Sequence, residues 1–363
     1  MSGENAVSSV NRILIIRLSA IGDVVFASPL ATAIQNRFPE AQIDWLAEDM
    51  VAPLIQHHPD INEVMIWPRK IWRQYWERGR LLALLGSVLA FRKALKARRY
   101  GLVVDAQGLL KSAVLGWLTG APRRVSFRSK EPTSWLVGER IEKDVSPRIS
   151  SEYLALAEYL GCDTAQFPLR IALPDGVLEW SGRFRRAEPY VVLAPFTTRP
   201  QKHWPEAQWR QLAAEVCHEG WRVVVLGAPT DVESSARIFD GISIESMVGK
   251  TTLLESAALV SGAQLVIGVD TGLTHMGWAF SVPTVALFGS TCPYRELEGL
   301  QGEVLYLDMA CSPCRRKPTC GGSFACLGNI SANEVIAAAK RYYSTSTSPE
   351  PVIASSSVER EFD

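Results

Sequence analysis

The sequence lacks three features, and each absence excludes a class of protein. No apolar run reaches the roughly 18 residues of a membrane-spanning helix. The first residues, Met1 to Asn11, are polar and contain no apolar signal-peptide core. There are 38 basic and 38 acidic residues, so the protein has no overall positive charge that would attract nucleic acid. These absences predict a cytoplasmic protein that binds no nucleic acid.

Disulfide and dinucleotide signatures are also missing. There is no G-x-G-x-x-G fingerprint, and seven cysteines do not suggest a disulfide scaffold. Four of the cysteines crowd into the segment 311–326: Cys311, Cys314, Cys320 and Cys326. Four thiolates can hold a structural zinc or iron, although this spacing matches neither a zinc ribbon nor a ferredoxin. Reduced thiols without a metal are the alternative, and the spacing favours neither.

What the sequence does contain is an alternation of apolar strands and helices that occurs twice. In the first half, strands at 13–16, 43–46, 64–67 and 101–105 alternate with helices. The pattern restarts at 190–194, after a polar, proline-containing stretch. Without hairpin signals, it predicts an α/β protein of two Rossmann-like domains facing across a cleft. The predicted domains are 1–178 and 179–343, followed by a disordered tail at 344–363.

The first candidate motif follows the first strand and runs from Arg17 to Asp23. Gly22 permits a tight turn, which places Asp23 at the mouth of the predicted sheet. A carboxylate there can accept a proton from a substrate hydroxyl. It can equally cap the helix that follows. The spacing favours neither interpretation.

The second candidate motif lies between a strand and a helix predicted to begin at Pro205. Thr197, Thr198 and Lys202 bring hydroxyls and a cation to this turn. Such a turn suits an anion, and a diphosphate would fit. We favour this interpretation over an ordinary polar loop.

The third candidate motif, Asp270 to His275, again follows a strand and opens a helix. The amides of Thr271 and Gly272 can face a phosphate, with His275 nearby. A plain turn with a helix cap and a core histidine is the alternative. Two turns of this kind in one domain favour a nucleotide ligand.

Basic and aromatic residues are interleaved between Trp67 and Arg80. This composition suits sugars, anionic lipid headgroups or nucleic acid, and zero net charge weakens the last of these. A solvated amphipathic helix is the alternative. Arg123, Arg124, Arg128 and Lys130 form a second basic stretch.

Five segments together resemble glycosyltransferase family 9, the ADP-heptose:lipopolysaccharide heptosyltransferases, with heptosyltransferase I as the nearest branch. They are 19–23, 105–112, 197–205, 227–229 and 270–275, in the order of the family. The resemblance implies a GT-B fold and an inverting glycosyltransferase that needs no cofactor for its chemistry. It also implies transfer of L-glycero-D-manno-heptose from ADP-heptose to Kdo-lipid A of the lipopolysaccharide inner core, at the inner-membrane surface.

The resemblance also implies roles for individual residues. Asp23 matches the catalytic general base. The donor-binding positions, with Asp231 where the family has a glutamate, are Thr197, Thr198, Lys202, Asp231, Asp270, Thr271, Gly272 and His275. The acceptor-binding positions are Arg17, Ser19, Lys70, Trp72, Arg73, Gln107, Lys111, Arg128 and Lys130.

The cysteine cluster departs from heptosyltransferase I. Similar cysteine-rich segments occur in relatives that heptosylate proteins and bind iron. A later core sugar or a protein is therefore the alternative acceptor. An alternative of another class is a metal-binding protein in which the four cysteines carry an unrelated activity.

Overall fold

The computed structural model describes residues 10–185, 188–291 and 293–343, and these ranges contain two six-stranded parallel sheets. The strands of the first sheet are β1 (Arg12–Ile16), β2 (Gln42–Ala47), β3 (Glu63–Ile66), β4 (Leu102–Asp105), β5 (Arg123–Phe127) and β6 (Glu139–Ile141). Those of the second are β7 (Tyr190–Ala194), β8 (Arg222–Val225), β9 (Glu245–Ser246), β10 (Leu265–Val269), β11 (Thr284–Phe288) and β12 (Gly302–Tyr306). Their orders are β3-β2-β1-β4-β5-β6 and β12-β11-β10-β7-β8-β9.

Helices connect the strands, as parallel sheets require. The first seven are α1 (Ile21–Ala27), α2 (Pro29–Arg37), α3 (Arg69–Glu77), α4 (Leu81–Ala97), α5 (Leu110–Leu118), α6 (Ser151–Tyr159) and α7 (Asp175–Arg185). The others are α8 (Glu206–His218), α9 (Val232–Ile238), α10 (Leu253–Ser261), α11 (Gly272–Ala279), α12 (Ala325–Gly328) and α13 (Ala332–Tyr342). None of these described helices is long and apolar enough to cross a membrane.

Uninterrupted apolar runs account for the central strands. Every residue of β7, β10 and β11 is buried, as are Ile13 to Ile16 of β1. A strand that is buried on both faces needs apolar side chains at every position, which is the pattern of a parallel sheet covered by helices. The predicted α/β architecture of two Rossmann-like sheets is confirmed.

The basic stretch at 123–130 is in part a strand that the sequence did not predict. Residues 123–127 form β5, where Arg123 pairs with Glu139 of β6 and Arg124 donates to the carbonyl of Leu136. The strand has only two apolar residues, Val125 and Phe127. This is too short a pattern to predict a strand from the sequence. Arg128 and Lys130 follow the carboxyl end of β5, at the edge of the sheet where ligands bind.

The predicted domain boundary at 178/179 falls inside α7, which packs against α10 of the second half. The boundary therefore stays a prediction. The tail at 344–363, predicted to be disordered, lies outside the described residues.

The two halves meet at the carboxyl ends of their sheets. Helix α1 packs against α11, and one hydrophobic cluster contains buried residues of both halves. Backbone hydrogen bonds also cross the interface, from Ile149 N–H to Glu296 (3.1 Å) and from Glu296 N–H to Pro147 (3.0 Å). The turns after β1 and β10, which carry two of the candidate motifs, are thereby brought together.

Candidate active site

Asp23 lies in the first turn of α1, just beyond the carboxyl end of β1. Its carboxylate accepts a hydrogen bond from the Ala20 N–H (3.1 Å) and forms an ion pair with Arg17. The side chain is nevertheless 46% exposed. Capping of the helix and an open carboxylate, which the sequence left as alternatives, are therefore both properties of this one residue.

Arg17 holds the Asp23 carboxylate in place. Its guanidinium is buried, donates to the Ala106 carbonyl (3.0 Å) and lies 5.7 Å from the centre of the Tyr153 ring. Burial alone would raise the pKa of Asp23, but the Arg17 charge and the Ala20 amide outweigh it and hold that pKa below its usual range. Asp23 is therefore ionised at neutral pH. Arg17 therefore positions Asp23, and the acceptor contact predicted for Arg17 stays a prediction.

Three further residues surround Asp23 that the sequence did not single out. Glu152 on α6 accepts a hydrogen bond from the Tyr294 hydroxyl (3.3 Å), which comes from the other half of the chain. Burial raises the pKa of Glu152, and the nearby Lys143 charge opposes this. Lys143 also lies close enough to lower the pKa of Asp23. The segments around 143 and 294 carry no hydrophobic pattern, so no sequence signal pointed to them.

The segment 105–112 has a structural explanation. Asp105 is buried and accepts hydrogen bonds from the amides of Gln107 (3.0 Å) and Gly108 (3.1 Å) and from the hydroxyl of Ser112 (3.0 Å). Gln107 in turn accepts from the Leu18 N–H at 3.0 Å. This network fixes the loop after β4 against the loop that leads to Asp23. Gln107 and Ser19 therefore lie beside the candidate base.

The predicted donor residues Lys202, Asp270 and His275 form one cluster at the carboxyl end of β10. Lys202 Nζ lies 2.5 Å from one Asp270 oxygen, and His275 Nε2 lies 3.0 Å from the other. The Thr291 hydroxyl, which the sequence did not suggest, also donates to Asp270. Asp270 therefore orients both a cation and an imidazole.

The charge state of this cluster follows from its contacts. Burial would raise the pKa of Asp270, but the bond from His275 and the Lys202 charge lower it well below its usual range. Because Asp270 is ionised, its carboxylate accepts a hydrogen bond from the Nε2–H of His275. Nδ1 of His275 is buried and finds no hydrogen-bond partner in the described part of the chain.

Thr271 and Gly272 stand at the start of α11, where backbone N–H groups lack helical partners. This helix end faces α1 of the other half at close range. A Cβ on Gly272 would lie 2.2 Å from Ile21 Cγ2, and a Cβ on Gly22 would lie 2.5 Å from His275 Cδ2. The two glycines therefore allow α1, which carries Asp23, and α11 to touch.

We expect Gly272→Ala to lower kcat/KM by about 100-fold because the added methyl group holds the two helices apart, and displacements of about 1 Å cost this much. The measurement is steady-state kinetics alongside the unfolding temperature. Gly182→Ala is the matched control, since a Cβ there meets nothing within 4 Å. Wild-type kinetics for Gly272→Ala would show that this contact is not needed for turnover.

Thr197, Thr198 and Asp231 are not part of the Lys202–Asp270 cluster. Thr197 and Thr198 lie in the loop after β7, and Asp231 accepts the Ala228 N–H (2.8 Å). A cavity of about 330 Å³ beside this loop is lined by Asp231, His203, Trp204 and Phe324 but by none of the other predicted donor residues. Helix α8 begins at Glu206, so Lys202 lies before the helix. Its ammonium group pairs with Asp270. The donor roles of all eight predicted residues, including Thr197, Thr198 and Asp231, stay predictions.

The predicted acceptor residues fall into two groups beyond Asp23. Lys70 pairs with Asp49 (2.6 Å), Lys111 approaches Glu48 (3.5 Å) and Arg73 pairs with Glu77 (2.6 Å). Arg128 pairs with Glu142 (2.7 Å) after β5, and Lys130 is exposed nearby. Apart from Arg17, all of these basic side chains retain access to solvent, and their role in acceptor binding stays a prediction.

Trp72 makes contacts that stabilise the fold, and its predicted role in acceptor binding stays a prediction. Its indole N–H donates to the Ser87 hydroxyl (3.0 Å), and its ring meets Phe91 edge-on at 5.6 Å. Trp72 thereby fastens α3 to α4. This explains one aromatic of the basic–aromatic segment without a ligand.

The four clustered cysteines are all free thiols beside the donor cluster. Their loop is attached to it by the Arg315 N–H, which donates to Ser290 (2.5 Å), and by Gln201, which donates to the Arg315 carbonyl (3.1 Å). Within residues 10–185, 188–291 and 293–343, no three His, Cys, Asp or Glu side chains are arranged to hold a metal ion. The predicted zinc or iron site is therefore not supported by this geometry.

Comparison with known proteins places these features in a family. The sequence profile of glycosyltransferase family 9 (heptosyltransferase) matches residues 88–323. The lipopolysaccharide heptosyltransferase 1 of Pseudomonas aeruginosa is 32% identical over 85% of this chain and 87% of its own length. That of Salmonella typhimurium is 32% identical over 83% of this chain and 93% of its own.

A solved structure agrees with these relatives. E. coli heptosyltransferase WaaC with ADP-2-deoxy-2-fluoro heptose superposes with a TM-score of 0.69 and 28% identity, over 92% of this chain and all of the other. The predicted GT-B fold, glycosyltransferase activity and likeness to heptosyltransferase I are confirmed. The chain belongs to glycosyltransferase family 9, the heptosyltransferases.

Proposed function

We propose that this enzyme transfers heptose from ADP-heptose to Kdo-lipid A, with Asp23 as the general base. The observation that carries the proposal is the meeting of α1 and α11, which brings an ionised, half-exposed carboxylate next to the start of a helix suited to phosphate. The names of the 32% identical relatives supply the lipopolysaccharide context.

Asp23 is suited to the proton-transfer step. Arg17 and the Ala20 N–H fix one carboxylate oxygen, Oδ2. The carboxylate takes the proton of the acceptor hydroxyl as that oxygen attacks the anomeric carbon. The bond from the anomeric carbon to the diphosphate breaks on the opposite face, so the configuration inverts.

The departing ADP gains negative charge, which the donor cluster can stabilise. The free N–H groups at the start of α11 and the Lys202 cation are the available groups. Asp270 keeps Lys202 and His275 oriented before the donor arrives, so little rearrangement is needed during the reaction. Thr197, Thr198 and Asp231 complete the proposed donor site.

The acceptor side of the cleft carries cations suited to an acidic sugar on a phosphorylated lipid. Lys70 and Arg73 follow the carboxyl end of β3, Lys111 follows that of β4, and Arg128 and Lys130 follow that of β5, so all lie in segments beyond the same edge of the first sheet. Because this acceptor is carried by a lipid, the proposal includes peripheral association with the inner-membrane surface.

Incubation with ADP-heptose and Kdo2-lipid A tests the proposal. We expect release of ADP and an increase of the acceptor mass by one heptose residue. A matched series with a heptosylated core and with a protein acceptor covers the alternatives left open by the sequence. Turnover on either of those, without turnover on Kdo2-lipid A, contradicts the acceptor assignment while leaving heptose transfer intact.

A structural metal at the four cysteines stays a prediction. All four are free thiols, and burial raises the pKa of the Cys326 thiol. Elemental analysis of anaerobically purified protein decides whether a metal is present. No step of the proposed transfer depends on it.

A further inference from the structure

Helices α3 and α4 form the most basic part of the chain. Between Arg69 and Arg99 there are ten Lys and Arg residues and one acidic residue, Glu77, whereas the rest of the chain has 28 basic and 37 acidic residues. Some of these cations are neutralised by residues outside the segment, such as Arg69 by Glu48. Five exposed ones make no ion pair with any described residue: Arg78, Arg80, Lys93, Lys96 and Arg99.

The same helices expose a continuous apolar stripe. Leu82 is 87% exposed, and Leu85 and Leu89 are more than half exposed. Their spacing of three and four residues places them on one face of α4. Trp76 on α3, 69% exposed, and Leu81 extend the stripe across the connection between the helices. Only Leu95 of the 17 residues of α4 is buried, so this helix presents most of its apolar surface to solvent.

The stripe belongs to a helix pair that is held firmly from the other side. Phe91 and Leu95 pack into the cluster formed by Leu14, Ile16 and Val103, and Trp72 joins α3 to α4. The exposed leucines are therefore not core residues awaiting a partner within the described chain. Neighbouring apolar side chains that are exposed together on a protein surface mark an interaction surface.

We propose that the face formed by α3 and α4 docks on the surface of a membrane that contains anionic phospholipid. The spacing of three and four residues continues from the leucines to Lys93 and Lys96, so apolar and basic side chains occupy the same face. In an interfacial helix the apolar face enters the acyl boundary while neighbouring cations meet anionic headgroups. The proposal rests on the proposed function only in that a lipid-borne acceptor needs such docking.

Charge favours the membrane over a second copy of the chain as the occupant. A symmetric dimer would place the same patch against itself. The five unpaired cations would then face their equivalents, and like charges oppose association. An anionic lipid surface complements both components of the patch.

Flotation with lipid vesicles tests the inference. We compare wild-type protein with a triple variant, Leu82→Gln, Leu85→Gln and Leu89→Gln, in which glutamine keeps the helix propensity high. Wild type is expected to bind vesicles with about a quarter phosphatidylglycerol and to bind pure phosphatidylcholine vesicles at least about tenfold less well, since anionic lipid supplies the electrostatic part. The triple variant is expected to lose at least about tenfold in binding to the anionic vesicles because apolar burial is removed. Val232→Gln, on a half-exposed valine of α9, is the matched control.

Activity measurements separate this inference from the proposed function. The triple variant should turn over detergent-dispersed acceptor as wild type does, and should be slower only on acceptor embedded in vesicles. Equal vesicle binding by wild type and variant overturns the inference while leaving the proposed function intact. The inference is also overturned if wild type sediments as a dimer and the triple variant sediments as a monomer. An absence of transferase activity in both formats, with leucine-dependent vesicle binding, overturns the proposed function alone.

Discussion

Asp23→Asn is expected to lower kcat by about 1,000-fold, which is within the usual range for removal of a general base. Asparagine has nearly the same shape and can still accept the Ala20 N–H, but it takes no proton. Donor binding should be retained because the residues proposed to bind ADP lie on the other half of the chain. The measurement is single-turnover kinetics, with ADP affinity determined by calorimetry.

Asp163→Asn is the matched control because Asp163 is exposed and also accepts a backbone amide, that of Ala165 (2.9 Å). It should leave kcat unchanged. The pH profile gives an independent check that needs no variant. Since the pKa of Asp23 lies below its usual range, kcat/KM should stay level towards acid and fall only below about pH 4. An acidic limb well above pH 4 would instead point to Glu152, whose pKa burial raises.

Asp270→Asn is expected to have the largest effect on stability, about 3–5 kcal/mol in the free energy of unfolding. Lys202, only 16% exposed, would be left without its carboxylate partner, which is itself 12% exposed. Donor affinity should fall as well because Lys202 and His275 lose their orientation. Urea unfolding and ADP titration measure the two effects.

A double variant distinguishes an unpaired charge from lost packing. Lys202→Met added to Asp270→Asn should restore part of the lost stability, since the uncompensated cation is gone. The pH dependence has a definite sign: the lowered pKa of Asp270 gives stability that is present above about pH 4 and is lost as the pH falls below it. Glu219→Gln, in an exposed pair with Lys340, is the control and should change stability little. A strictly additive double variant would argue against a coupled pair.

The fold was predictable where apolar runs are long. The central strands at 13–16 and 265–269 were predicted because every position there is apolar or glycine. β5 and β6 were not recognised because both are short and begin with charged residues, which leaves few apolar positions to form a pattern. Their position beside β4 depends on pairing with the sheet, which a local pattern does not contain.

The candidate site was predictable where a motif follows a strand. Asp23, Lys202, Asp270 and His275 are parts of three such turns, after β1, β7 and β10. Tyr294 and Glu152 were missed because they come from opposite halves and meet only after the chain has folded. The pairing of Arg17 with Asp23 was missed for a related reason, since no local pattern shows that these two side chains meet.

The hydrogen bonds that link Ile149, Glu296 and Pro147 across the interface involve main-chain atoms only. The exposed side chain at 296 can therefore change without altering this link between the halves, whereas Ile149 is buried in the shared apolar cluster and needs an apolar side chain. Proline is the exception at both positions because it has no N–H to donate. Two related chains can thus share the same domain arrangement while showing little identity at the residues that create it, and alignments alone would overlook this seam.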